Sequence, residues 1–190
     1  MNALDFFARW RVRLGYILAV VVLWLARPTP RSILTGAGIG LIGIWIRAYA
    51  AGHLHKQEVL TVTGPYSRTR NPLYFGSSIL TIGAAVATNS WTAAGLLIVY
   101  FALVYTFVMR REEMELRQKH GSAFDTYASA VPLFFPKLSA RNGSFGEPAA
   151  FSWAQYKKNH EHQAAVGFAL LLIGLFVIWW LRSRGFHASV

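Results

Sequence analysis

Two apolar stretches, Trp91 to Met109 and Ala164 to Leu181, contain no charged residue and are long enough to cross a bilayer as helices. Hydrocarbon offers the backbone no hydrogen-bond partners, and a helix satisfies its polar groups within the run. Three further apolar segments follow the same logic. Ile33 to Ala51 is long enough to span. The segment from Pro72 to Thr88 starts with a residue whose missing N–H costs nothing in a first turn. Residues 14–26 reach roughly 20 Å at 1.5 Å per residue, so the flanking Arg13 and Arg27 must snorkel. The expected fold is therefore an all-α integral membrane protein: five transmembrane helices, with a helical and extended tail between the fourth and fifth.

Composition supports one membrane domain over residues 1–190 with no separate soluble unit. The chain is 54% apolar and 14% charged, whereas soluble domains carry about 25% charged residues. The absence of cysteine excludes disulfides and thiolate metal sites. A net charge of +11, divided by lipid-length apolar runs, suits anionic lipid and not nucleic acid. No small-residue cleavage site follows Leu25, so the first run reads as a retained helix. Gly36, Gly38, Gly40 and Gly43 read as a surface for close helix packing, since no strand precedes them to build a phosphate loop.

Basic residues set an expected orientation. A cytoplasmic N-terminus places Arg68, Arg70, Arg110, Arg111, Arg117 and Lys119 inside. It leaves Arg27, Arg31, Arg182 and Arg184 outside, as the positive-inside rule requires. The loop before the third span and the charged end of the fourth then share the cytoplasmic face.

The tail has its own pattern. Arg110 to His120 continues as a helix, with Glu113–Arg117 and Glu115–Lys119 at i,i+4 spacing and Gly121 as its stop. Ser122 and Asp125 resemble a capping box for a short helix carrying Phe124 and Tyr127. Val131 to Pro136 cannot continue a helix and is expected to fold back as a lid. Residues 138–163 read as a connector, with an interfacial helix from Trp153 to Glu161.

Candidate site residues cluster at the two polar helix ends. Arg70, Asn71 and Tyr74 around Pro72 suit an anion or cofactor grip at a helix N-terminus, or plain interfacial anchoring. Glu112 and Glu113 end the fourth span and either pair with neighbouring bases or hold a cationic or hydroxyl-bearing cofactor. Glu58 could join them. Arg47, inside the second span, either snorkels or faces an interior cavity. His53 and His55 lack further ligands at metal-binding spacing, so no metal site is expected.

Over residues 56–137 the chain resembles the isoprenylcysteine carboxyl methyltransferases, within the wider group of phospholipid methyltransferase-like membrane enzymes. Gly64, Tyr66, Arg70, Pro72, Tyr74 and Gly76 match the family's Arg-His-Pro-x-Tyr-x-Gly region. After a hairpin come Glu112 and Glu113, then Gly121, Tyr127, Val131, Pro132 and Pro136 at the family's spacings. Asn71 stands where the family usually has histidine, and Glu58 where histidine often precedes the loop. Residues 164–181 lie beyond the match as an additional C-terminal helix.

The resemblance implies S-adenosylmethionine as methyl donor, bound at the cytoplasmic end of the hairpin by Glu58, Gly64, Tyr66, Asn71, Pro72, Tyr74, Gly76, Glu112, Glu113 and Tyr127. Arg70 and Glu113 are the residues expected to carry the reaction, with Arg70 expected to clamp a carboxylate acceptor that needs no base. The acceptor is a lipophilic small molecule or lipidated substrate entering from the bilayer. Membrane sterol reductases resemble the same tail. That alternative implies NADPH, with Arg68, Arg111 and Lys119 on its phosphate. Phospholipid N-methylation, and a non-enzymatic membrane subunit, are the other readings.

Overall fold

The computed structural model describes residues 3–55, 59–138 and 150–185. Seven α-helices appear there and no strands: α1 Ala3–Leu25, α2 Pro30–His53, α3 Pro72–Thr88, α4 Trp91–His120, α5 Ser122–Ala130, α6 Trp153–Lys158 and α7 His162–Ser183. A 3₁₀ turn, Gly64–Ser67, precedes α3. Three helices, α2, α4 and α7, are long and apolar enough to cross a membrane. Arg13–Leu25 of α1 and all of α3 are shorter apolar segments. Glu58 lies outside the described residues, as does most of the 138–150 connector.

The chain runs up and down, so alternate turns meet at one end of the bundle. The Arg27 N–H donates to the Thr88 carbonyl (2.8 Å). The Asn89 amide donates to the Arg27 carbonyl (3.0 Å), and Arg182 Nη1 to the Ala26 carbonyl (2.6 Å). Beneath these bonds Ala26, Ala87 and Leu175 form a buried cluster joining α7 to the α1–α2 and α3–α4 turns. The opposite end gathers residues 54–55 and 59–71, the end of α4, and α5 and α6.

Helix α2 meets α3 through glycine. A Cβ on Gly36 would lie 2.4 Å from the Gly83 carbonyl oxygen, and one on Gly43 would lie 2.7 Å from that of Gly76. The backbones touch, which maximises dispersion where lipid supplies no hydrophobic drive. Gly40 instead receives the Phe168 ring of α7, while Gly38 faces open space.

Helix α4 continues without a break for 30 residues, or about 45 Å. That exceeds a hydrocarbon core of about 30 Å, so its last turns stand clear of the spanning part and carry Glu112 and Glu113 with them. Gly121, at φ +53°, ends it. The expected capping box at Ser122 and Asp125 does not form. Gly121 takes the cap position, and Asp125 instead accepts from Arg117 Nε at 2.8 Å. A reciprocal capping box forms at Thr29 and Ser32, opening α2. Phe124, Tyr127 and Val131 then bury against Leu60 and Val62, a small second core at the open end of the α3–α4 hairpin.

Candidate active site

A cavity of about 660 Å³ opens between residues 54–55 and 59–74, the last turns of α4, and α5. Its wall includes Tyr66, Arg70, Asn71, Pro72, Tyr74, Glu112, Glu113 and Tyr127. Gly64 and Gly76 are not on it. Gly64 has φ +59°, and a Cβ there would meet the His53 ring at 2.5 Å. Gly76 packs on Arg47 and Gly43 of α2. Both glycines shape the surrounding backbone.

Arg70 and Glu113, 43 positions apart, meet with Nη2 2.5 Å from Oε1. The contact is a charge pair without hydrogen-bond alignment, and Glu113 Oε1 has no hydrogen-bond donor. Arg110 Nη1 stands 3.8 Å from the other carboxylate oxygen. The expected Glu113–Arg117 pair is therefore replaced: Glu113 turns to Arg70, Arg117 to Asp125, and Glu115 to Arg111 at 2.9 Å. Tyr74 Oη donates to Glu112 Oε1 at 2.5 Å. Each acid of the pair thus binds a side chain from the start of α3, which closes the hairpin's open end.

The Val131–Pro136 strip is not a lid. It runs beside the Arg68–Asn71 loop and holds it by backbone and side-chain bonds. The Arg70 N–H donates to the Pro132 carbonyl (2.9 Å) and the Lys137 N–H to that of Arg68 (3.0 Å). Thr69 Oγ1 donates to the Phe134 carbonyl (2.9 Å), and Asn71 Nδ2 to that of Leu133 (3.0 Å). Arg70 Nη1 reaches the carbonyls of Ala128 (2.6 Å) and Val131 (2.9 Å). Without these donors the carbonyls of a proline-bounded strip would lack partners, so strip and loop order each other. Asn71 consequently makes no side-chain cap on α3.

Two tyrosines form the cavity's inner wall. Tyr127 Oη donates to the Tyr66 carbonyl at 2.7 Å. Tyr66 is 6% exposed, and its hydroxyl has no partner. Burial pushes the Tyr66 phenol well above its usual range, with nearby Tyr127 and Glu112 adding to the shift. Burial likewise raises Tyr127, although Arg70 opposes it. Both remain neutral hydrogen-bond donors. Arg70 Nε is also buried without a partner. Tyr66 Oη and Arg70 Nε are thus buried polar atoms without a hydrogen-bond partner, on two residues that line the cavity.

The wall also holds His55, Glu115, Lys119, His120 and Phe124, which lie outside the family motif; of these only Lys119 was expected at a cofactor, on the phosphate of NADPH. Spacing carried a signal for three of them. Glu112, Glu115, Leu116, Lys119 and His120 recur at steps of three and four residues and so share one face of α4. Arg47 faces inward, pairing with Glu161 and hydrogen-bonding Ser77. Among the described residues no group of three histidine or acidic side chains is placed to hold a metal ion.

The phospholipid methyltransferase family model matches residues 10–123, well over half of the chain and both halves of the α3–α4 hairpin. This chain belongs to the phospholipid methyltransferase family. Among curated proteins it is 32% identical over 139 residues to the nickel-cobalt-cadmium resistance protein NccN of Alcaligenes xylosoxydans xylosoxydans, covering 68% of this chain. It is 30% identical over 143 residues to the cobalt-zinc-cadmium resistance protein CzcN of Cupriavidus metallidurans, covering 70%. The chain spans 64% and 65% of the length of those relatives. No solved structure matches it. The family match includes Arg70, Glu112 and Glu113 and ends before Tyr127, so α5 beyond its first residues, the strip, α6 and α7 lie outside it.

Proposed function

We propose that this family member is an S-adenosylmethionine-dependent methyltransferase acting on a lipophilic acceptor. The donor occupies the cavity between Tyr66, Arg70, Glu113 and Tyr127, on the cytoplasmic side of a five-span bundle. The carrying observation is the wall itself. About 660 Å³ lies within the range of roughly 300–1,000 Å³ typical of cofactor sites, and carboxylates and aromatic rings line it together.

The wall's chemistry fits this donor. When bound, it supplies a methyl group on a sulfonium cation. The carboxylates of Glu112, Glu113 and Glu115 would take its ammonium and ribose hydroxyls. The faces of Tyr66, Tyr74, Phe124 and Tyr127 would flank the purine and favour the positive charge. Methyl transfer is an in-line displacement, so orienting the two reactants supplies much of the rate.

For the acceptor we propose a carboxylate on a lipid or lipidated molecule. It is ionised at neutral pH and needs no base. Arg70 lines the cavity, and the positive charge of its guanidinium would draw that carboxylate. One observation favours a second reading, N-methylation of an amine headgroup: His55 and His120 both line the cavity and could accept a proton. Of the three bases that the NADPH reading calls on, Lys119 lines the cavity, whereas Arg68 and Arg111 do not and Arg111 is paired with Glu115.

The test is to incubate the purified protein with lipid extracts and methyl-labelled donor, then identify the labelled product. A base-labile methyl ester supports the carboxylate acceptor, and a methylated amine supports the second reading. No labelled lipid with any extract contradicts the methyltransferase reading.

A further inference from the structure

We infer that the segment from Phe151 to Glu161, outside the family match, is a positioning device for the cavity wall. It works through Asn159 and Glu161. This inference rests on the cavity being the donor site.

Three routes run from this segment to the wall. Asn159 Nδ2 donates to the carbonyls of Ala51 (2.9 Å) and Leu54 (3.0 Å) and so holds the last turn of α2, where the Ala51 carbonyl also takes the Leu54 N–H. Leu54 lines the cavity, as does the next residue, His55. Glu161, 8% exposed, pairs with Arg47 Nε. The same guanidinium hydrogen-bonds Ser77 and reaches the carbonyl of cavity residue Leu73 at 3.4 Å. The third route is packing. Phe151 fills the space beside Gly52, where a Cβ would meet its ring at 2.1 Å, and sits edge-on to His53 at 6.0 Å. His53 in turn packs on Gly64, which opens the turn carrying Tyr66. The Ser152 N–H to Gly52 carbonyl bond (3.0 Å) fixes the start of the segment.

Snorkelling does not explain the Arg47 arrangement. Its side chain is 18% exposed and its partner's 7%, and it joins α2, α3 and the start of α7. A buried pair is costly to assemble and adds little net stability, but its geometry is specific. The routes converge on Leu54, Tyr66 and Leu73, three sides of one opening. Neither Asn159 nor Glu161 lines the cavity, so both act through other residues.

The test uses the full chain in nanodiscs. Asn159→Asp puts an acceptor against two carbonyls, and Glu161→Gln removes the charge at nearly constant shape. Asn159→Ala is the milder variant if the first folds poorly. Two readouts are taken: hydrogen exchange in peptides covering Leu60–Leu73, and the Kd for S-adenosylhomocysteine. The expected result is faster exchange in that wall with protection of Ala84–Ala87 unchanged, and a Kd raised about tenfold. Unchanged wall exchange, or a loosened wall with unchanged Kd, overturns the inference. Failure of the functional reading looks different: the unaltered protein binds no donor, and the exchange comparison alone then decides whether Asn159 and Glu161 hold the wall.

Discussion

Replacing Arg70 should do more than remove a positive charge from the cavity. Its guanidinium holds two carbonyls of α5 and the strip, and it faces Glu113 at 2.5 Å with both side chains about one-seventh exposed (14% and 15%). Breaking a fully buried pair costs about 3–5 kcal/mol. Arg110, at 3.8 Å, and the residual exposure lower the ionic part here, while two carbonyls losing their donor add about 1 kcal/mol each. Arg70→Met should therefore cost about 3–4 kcal/mol, measured by detergent-induced unfolding in mixed micelles. Glu113→Gln should cost about 1–2 kcal/mol, because Arg70 keeps its carbonyls. The two losses should not add: the double variant should fall short of their sum by about 1–3 kcal/mol. Arg70→Lys should behave nearly as badly as Met, since one ammonium cannot reproduce a planar fork spanning three acceptors. Additivity within about 0.5 kcal/mol would refute the reasoning, because it would mean the two residues do not meet.

Tyr66→Phe removes a buried hydroxyl that has no partner, so unfolding of the ligand-free protein should stay within about 0.5 kcal/mol or gain slightly. The same variant tests pH dependence. Tyr66 has its folded-state pKa raised above the ordinary 10.0, so the associated stability is intact below about pH 10 and is lost as pH rises toward the folded value. Tyr66→Phe should flatten that alkaline decline, and an identical alkaline slope would count against a buried phenol. Gly36→Leu should abolish close α2–α3 packing, because even its Cβ would sit 2.4 Å from a backbone oxygen. A monodisperse, normally stable Gly36→Leu protein in detergent would contradict that packing.

Much of the architecture could be read directly from the residues. Pro72 marks the start of α3 and Gly121 the end of α4 because each has a backbone property that no neighbour shares. The two ends of a short-turned hairpin must lie together, which is why Arg70 and Glu113 meet. Partner choice was less legible. Glu113, Arg117 and Asp125 each had local i,i+3 or i,i+4 options; Glu113 keeps Arg110 at 3.8 Å, but the close partners, Arg70 for Glu113 and Asp125 for Arg117, are set by tertiary geometry. The proline-bounded strip was recognisable as extended. Whether it covers the cavity or clamps the loop depends on donors from Thr69, Arg70 and Asn71 that no spacing rule locates. Glu161 lay in an interfacial-looking segment, 114 positions from Arg47, and periodicity carries no information at that separation. Gly64 and Gly76 matched a motif but serve packing, since a glycine's neighbours are visible only in three dimensions.

The most direct test is to locate the donor itself. A photoreactive, labelled S-adenosylmethionine is crosslinked to the purified protein, and the modified peptides are mapped. The account predicts label on the Leu60–Tyr74 and Glu112–Tyr127 segments, competed by S-adenosylhomocysteine and not by NADPH, and lost in Glu113→Gln. Label confined to other helices, or competition by NADPH alone, would contradict it.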